Sequence, residues 1–216
     1  MGSHQMLDAH ILAVFAVTTV GLLLIPGPGM LFILARGIEH GRSAAFVSVL
    51  GFQAGDALHI LAATIGLSAV LVASPVAFFS VKVAGAAYLA FLGITTILRK
   101  PEVQGIDSTL RTSMQRIFVQ GAVVNALNPK TALFFLAFLP QFVDPDRGEV
   151  AGQILVLGGT FMFLAVICEG AFAMFSGSLA NWLRSSEKFI NWQRFVVGSI
   201  YIGLAGIALL SGIAIT

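Results

Sequence analysis

Residues 21–34 read Gly21-Leu-Leu-Leu-Ile25-Pro26-Gly27-Pro28-Gly29-Met-Leu-Phe-Ile-Leu34, an apolar run with a proline cluster set into it. A second such interruption is Asn125-Ala-Leu-Asn128-Pro129-Lys130, in the other half of the chain. Proline removes a backbone donor and clashes with the preceding turn, so it opens a helix locally. Within a bilayer such an opening survives only where protein or a water-filled cavity satisfies the freed groups. Two breaks at corresponding places in two halves of one membrane protein point to a substrate site between them.

Composition agrees with a membrane setting. Apolar residues make up 57% of the 216 and charged residues only 10%, against about 25% charged in soluble domains. A formal net charge of +2 is too small and too scattered for a nucleic-acid surface. Cys168 is the single cysteine, which excludes an intrachain disulfide and a Cys-rich metal centre. The first apolar run follows Asp8 and His10 and lacks an Ala-x-Ala pattern. It therefore reads as a membrane helix and not as a cleaved leader.

A spanning helix needs about 20 mainly apolar residues. Six segments qualify, at about 9–36, 43–72, 76–98, 117–140, 151–181 and 194–215. This predicts an all-α membrane protein, one transmembrane domain over residues 1–216 with spans 1 and 4 interrupted by proline. Lys and Arg residues set orientation. Nine of them (Arg36, Arg42, Arg99, Lys100, Arg111, Arg116, Arg184, Lys188 and Arg194) follow odd-numbered spans, and Arg147 alone lies on the other side. The basic loops, the longest at about 99–116, are expected in the cytoplasm and both termini outside.

Shifting the chain by 113 residues lays Val83, Gly85, Tyr88, Gly93 and Ile94 onto Val196, Gly198, Tyr201, Gly206 and Ile207, and Asp56 onto Glu169. Repeats of about 7–98 and 117–216 contain three spans each. Because three is odd, they take opposite orientations, the 3+3 inverted arrangement of alternating-access carriers.

Four ionisable acids and bases lie inside the spans: Asp56, Lys82, Lys130 and Glu169. Each is costly in hydrocarbon and should face a partner, water or the bundle interior. Asp56, Lys130 and Glu169 fall near mid-depth at 1.5 Å per residue. Loss of water disfavours the charged form of a carboxyl group, so Asp56 and Glu169 could each exchange a proton during a transport cycle. Lys82, nearer a span end, either snorkels to the interface or serves the site. Gln53 and His59 share a helical face with Asp56. His59 could relay a proton, ligate a metal or hydrogen-bond within the bundle. Gly51 and Gly55 form a small-xxx-small pair suited to close helix approach. Asn125 and Asn128 could satisfy carbonyls freed by Pro129 or present amides to a polar substrate. A zwitterion's carboxylate could meet Lys130 and its ammonium Asp56 or Glu169.

With these residues the chain resembles the lysine exporter (LysE/RhtB) family of amino-acid efflux carriers. The matching pieces are Pro26-Gly27-Pro28-Gly29, the basic turn from Arg36-Gly37 to Gly41-Arg42, Gly51-x-x-x-Gly55-Asp56-x-x-His59, and Lys82-x-x-Gly85-x-x-Tyr88-Leu89-x-x-x-Gly93. The most specific is Asn125-x-x-Asn128-Pro129-Lys130, running on through Phe134-Phe135 to Phe138-Leu139-Pro140-Gln141-Phe142. Ile25 stands where the family usually has threonine. The resemblance implies a bacterial inner-membrane carrier that exports amino acids or close derivatives on the proton-motive force, without a cofactor and in a form compatible with a homodimer. The competing expectation is efflux of a divalent metal ion on Asp56, His59 and Glu169. An intramembrane enzyme lacks a nucleophile constellation or a His-Glu-x-x-His pattern to work with.

Overall fold

The structure is a computed structural model that describes residues 8–25, 27–98, 113–147 and 149–176, together with positions 195, 199, 202, 203, 205 and 206. All regular structure among them is helical. Helix α1 (Ala9–Leu23) is followed by α2 (Pro28–His40), α3 (Arg42–Ala73) and α4 (Pro75–Leu98). Then come α5 (Met114–Ala126), the short α6 (Pro129–Leu133) and α7 (Val150–Met174). The α6 helix runs on into a π-helical turn at Phe134–Phe138 and a 3-10 turn at Leu139–Phe142. Residues 99–112 of the loop expected at about 99–116, residues 177–181 of the fifth expected span, and the sixth span as a continuous segment lie outside the described residues, and α5 already begins at Met114.

Helix boundaries fall at both proline clusters. α1 ends at Leu23, and α2 begins at Pro28 after an extended Gly27. α5 ends at Ala126, and α6 begins at Pro129 with Asn128 as its cap, its side-chain oxygen accepting from the Lys130 N–H at 3.0 Å. At the first helical position a proline loses nothing, because that N–H has no partner within the helix. The basic turn expected from Arg36 to Arg42 is shorter than its sequence suggests. α2 continues to His40 and only Gly41, at φ 86°, leaves the helical region. A left-handed residue there favours glycine. Arg36 consequently stays on the helix, paired with Glu39 at 2.9 Å and reaching Gln120 at 3.3 Å.

Two helices are long and apolar enough to cross a membrane among the described residues, Arg42–Val70 and Val150–Met174. Met114–Ala126 and Lys130–Phe142 pass the same test together, bent by 48° at their junction. Large apolar side chains point outward from both long helices, among them Leu58, Leu61 and Ile65 on α3 and Phe163, Val166 and Ile167 on α7. Such faces suit lipid and would be a liability in water.

The long α3 is the hub, packed on α2, α5 and α7. Glycines allow its close approach to α5. A Cβ on Gly51 would stand 2.3 Å from the Phe118 carbonyl oxygen, and one on Gly55 would stand 3.0 Å from that of Ala122. Backbone cannot move aside as a side chain can. Gly51→Ala should therefore lose about 1–3 kcal/mol by overpacking, read as a lower unfolding temperature in detergent. An unchanged temperature would contradict the contact. On the other side of α3, Phe15, Phe134, Phe138, Ile154, Leu157 and Phe161 form the main apolar core.

Candidate functional site

Both helix breaks open onto one cavity of about 60 Å³. Its polar wall carries Asp56 from α3, Asn125 from α5, Asn128 and Lys130 at the start of α6, and Glu169 from α7. Its apolar wall includes Met30, Phe52, Phe134, Phe138, Phe161 and Phe172. The π-helical turn contributes two of these rings, Phe134 and Phe138.

Asn125 organises the polar side. Its Nδ2 donates to Asp56 Oδ1 and to the Phe52 carbonyl, both at 2.7 Å, while its Oδ1 accepts from Thr131 Oγ1 at 2.9 Å. Asp56 is 1% exposed, and its Oδ2 has no hydrogen-bond partner among the described residues. A buried polar atom without a partner carries a desolvation penalty of about 1–3 kcal/mol, which a ligand's donor would relieve. Glu169 is held more loosely, by a 3.4 Å bond from Gln53 Nε2, and Gln53 Oε1 is likewise unpartnered.

The prolines explain two further contacts. A proline at 129 offers no N–H to the Asn125 carbonyl one turn back. That oxygen takes the Asn128 N–H at 3.0 Å and faces His59 Nε2 at 3.2 Å. A proline at 26 likewise offers nothing to Leu22. There Lys130 Nζ donates to the Leu22 carbonyl at 2.7 Å and to that of Ile25 at 3.0 Å. Gly27 lies beside the lysine stem: a Cβ there would touch Lys130 Cδ at an ordinary contact distance of 3.7 Å.

Thus Gly27, Asp56, Asn125, Asn128, Lys130 and Glu169 line one space. Pro28 and Pro129 head the helices beside it, and Pro26 lies outside the described residues. Gln53 touches the site through Glu169. His59 stands behind Asn125, its ring stacked on Phe135 at 5.8 Å. Lys82 lies elsewhere, donating to the Val143 carbonyl at 3.2 Å in the turn after α6. Nearby, Arg147 joins Asp8 and Asp144 in an exposed cluster, and its hydrogen bond to Asp8 holds the guanidinium above its ordinary range. Thr131 was not marked by the sequence pattern, although a hydroxyl directly after Lys130 in an apolar run was a usable signal.

The divalent-metal expectation finds no support. Among the described residues no group of three His, Cys, Asp or Glu side chains is placed to hold a metal ion. His59 turns its Nε2 to a backbone carbonyl instead of toward Asp56 and Glu169.

Known proteins bear on the same residues. The chain matches LysE type translocator over residues 20–212. It is 32% identical over 174 residues to a homoserine/homoserine lactone efflux protein of Salmonella typhi, covering 81% of this chain and 84% of that protein. A leucine efflux protein of Enterobacter sp. (strain 638) is 28% identical over 196 residues, covering 88% of this chain and 91% of that protein. An uncharacterized membrane protein of Vibrio cholerae is 29% identical over 197 residues, covering 91% of this chain and 95% of that protein. No solved structure matches. With a match running through both helix breaks and the cavity they enclose, the chain belongs to the LysE type translocator family, as a membrane transporter and not an enzyme.

Proposed function

We propose that this protein exports an amino acid or close derivative across the bacterial inner membrane, coupled to proton entry, by alternating access. The observation that carries this reading is the cavity: two carboxyl groups, one ammonium and two amides beside an aromatic and aliphatic wall. A zwitterion with an uncharged side chain is complementary to that pattern. Its carboxylate would pair with Lys130, and its ammonium would be balanced by Asp56 and Glu169. Two similar relatives, named for homoserine and for leucine efflux, support the substrate class.

Alternating access requires the two breaks to part toward one side of the membrane at a time. In this reading α1 with α2, and α5 with α6, are two broken spans of a six-span 3+3 inverted repeat, and they rock around the site. Broken helices at a repeat interface are the recurrent carrier solution. The basic loops face the cytoplasm, both termini the exterior, and a homodimer is compatible with the lipid-facing apolar surface.

The test is counterflow by the purified protein in liposomes across the common amino acids. At least one neutral amino acid should exchange above protein-free vesicles. Failure of every amino acid and simple derivative to exchange would overturn the reading. Manganese and zinc salts should leave the unfolding temperatures of the wild type and His59→Ala unchanged. A metal-dependent rise that disappears in His59→Ala would revive metal efflux.

A further inference from the structure

Among the described residues the ammonium of Lys130 makes no direct ion pair with either carboxyl group of its own cavity. It donates instead to the carbonyls of Leu22 and Ile25, at 2.7 and 3.0 Å. These oxygens sit at the C-terminal end of α1, where a helix carries about half a negative charge. A proline at position 26 withholds the donor that would stand one turn on from Leu22, and the backbone partners left to that oxygen are the Leu24 N–H and a longer 3.3 Å bond from the Ile25 N–H. The end of α1 is therefore a seat for a primary ammonium, and in this structure a side chain fills it. Across the same cavity Asp56 Oδ2 is buried and unpartnered, so the space is incomplete without a donor from outside.

We infer that the Leu22 and Ile25 carbonyls are the seat of the substrate's ammonium, and that Lys130 occupies it as an internal stand-in while the cavity is empty. This rests on the transport reading above. When a substrate enters, its carboxylate pairs with Lys130 and draws the lysine off the carbonyls. The incoming ammonium takes the vacated pair, and its third N–H is free for a carboxyl oxygen. The arrangement keeps the freed carbonyls satisfied in the empty carrier. It also requires both ends of a zwitterion for entry: an amine alone meets a filled seat, and an acid alone leaves the carbonyls bare.

Ethylammonium is the probe, with tetramethylammonium, equal in charge but without N–H donors, as its control. Both are applied to the full-length protein in detergent. In Lys130→Ala, ethylammonium should raise the unfolding temperature above that in tetramethylammonium, because the seat is vacant. The wild type should respond only when propionate is added, with about a tenfold gain in apparent ethylammonium affinity, a usual size for coupled sites. Equal effects of the two cations on a folded Lys130→Ala would overturn the assignment. Lys130→Met, probed with methylammonium, replaces it if the alanine variant does not fold. If neither variant folds, the wild type decides: ethylammonium binding independent of propionate overturns the seat. A seat found in a protein that exchanges no amino acid would sink the transport reading alone. An active exporter lacking this cation response would sink the seat alone.

Discussion

Asp56→Asn is expected to abolish transport driven by a pH gradient while leaving a folded protein that still exchanges substrate, at lower affinity because one of the two carboxyl groups facing the ammonium is gone. The wild-type Asp56 Oδ1 accepts from Asn125 Nδ2 at 2.7 Å, and an asparagine oxygen of the same size can accept that bond. The new amide nitrogen falls where Oδ2 has no partner, so no donor is set against another. Stability should fall by no more than about 1–3 kcal/mol, the cost of one buried unpartnered polar group, since Oδ2 already stands without a partner. What disappears is a titratable group at a buried position facing the cavity. Counterflow needs no net proton movement and should persist; accumulation against a gradient should fall to the level of empty vesicles. Glu169→Gln should uncouple in the same way, with an even smaller effect on stability, because its side chain is held among the described residues by the 3.4 Å contact from Gln53. Full gradient-driven accumulation in both variants would remove the carboxyl groups from the coupling step.

Asn125→Leu should give the largest loss of stability of any single change at the site, about 2–4 kcal/mol. One amide joins α3, α5 and α6 through Asp56, the Phe52 carbonyl and Thr131. Leucine is close in size but offers neither donor nor acceptor. It strands a carboxyl oxygen on a residue 1% exposed and leaves the Thr131 hydroxyl, on a residue 8% exposed, without its acceptor. Each buried group left unpaired costs about 1–3 kcal/mol. Hydrogen bonds within membranes average less than that, since the unfolded chain also finds partners there, which holds the estimate below a simple sum. Thermal unfolding in detergent measures it, with the lipid-facing Val123→Ala as reference. Similar temperatures for the two variants would show that Asn125 does not hold the helices together.

Much of this geometry could be approached from sequence because membrane sequences constrain depth strongly. Helix boundaries at the proline clusters follow from missing N–H groups, and the tight contact of α3 with α5 follows from Gly51 and Gly55. Depth is not direction, however. Counting residues places Asp56, Lys130 and Glu169 at a similar level but does not say which partner each one takes. Lys130 turned to carbonyls and not to a carboxylate because the α1 terminus lies beside it, a contact more than a hundred positions away in sequence. His59 met the carbonyl that Pro129 leaves free, and no spacing rule joins those two residues. The π-helical turn at Phe134–Phe138, which brings Phe134 and Phe138 to the cavity, has no local signature in an unbroken apolar run. Of the two glycines in the basic turn, Gly41 takes the left-handed region, whereas Gly37 stays helical and is needed for space, since a Cβ there would meet Ser176 Oγ at 2.2 Å, a contact far off in sequence.

The central claim is export of an amino acid coupled to proton entry, and one flux measurement tests it most directly. Liposomes containing the purified protein are made acidic inside, and uptake of a labelled neutral amino acid selected by counterflow is followed. An antiporter lets protons leave down their gradient and moves the amino acid inward, so internal label should rise above the external concentration. It should return to equilibrium when an ionophore collapses the gradient. Uptake that merely equilibrates, at the same rate with and without the gradient, would contradict the account.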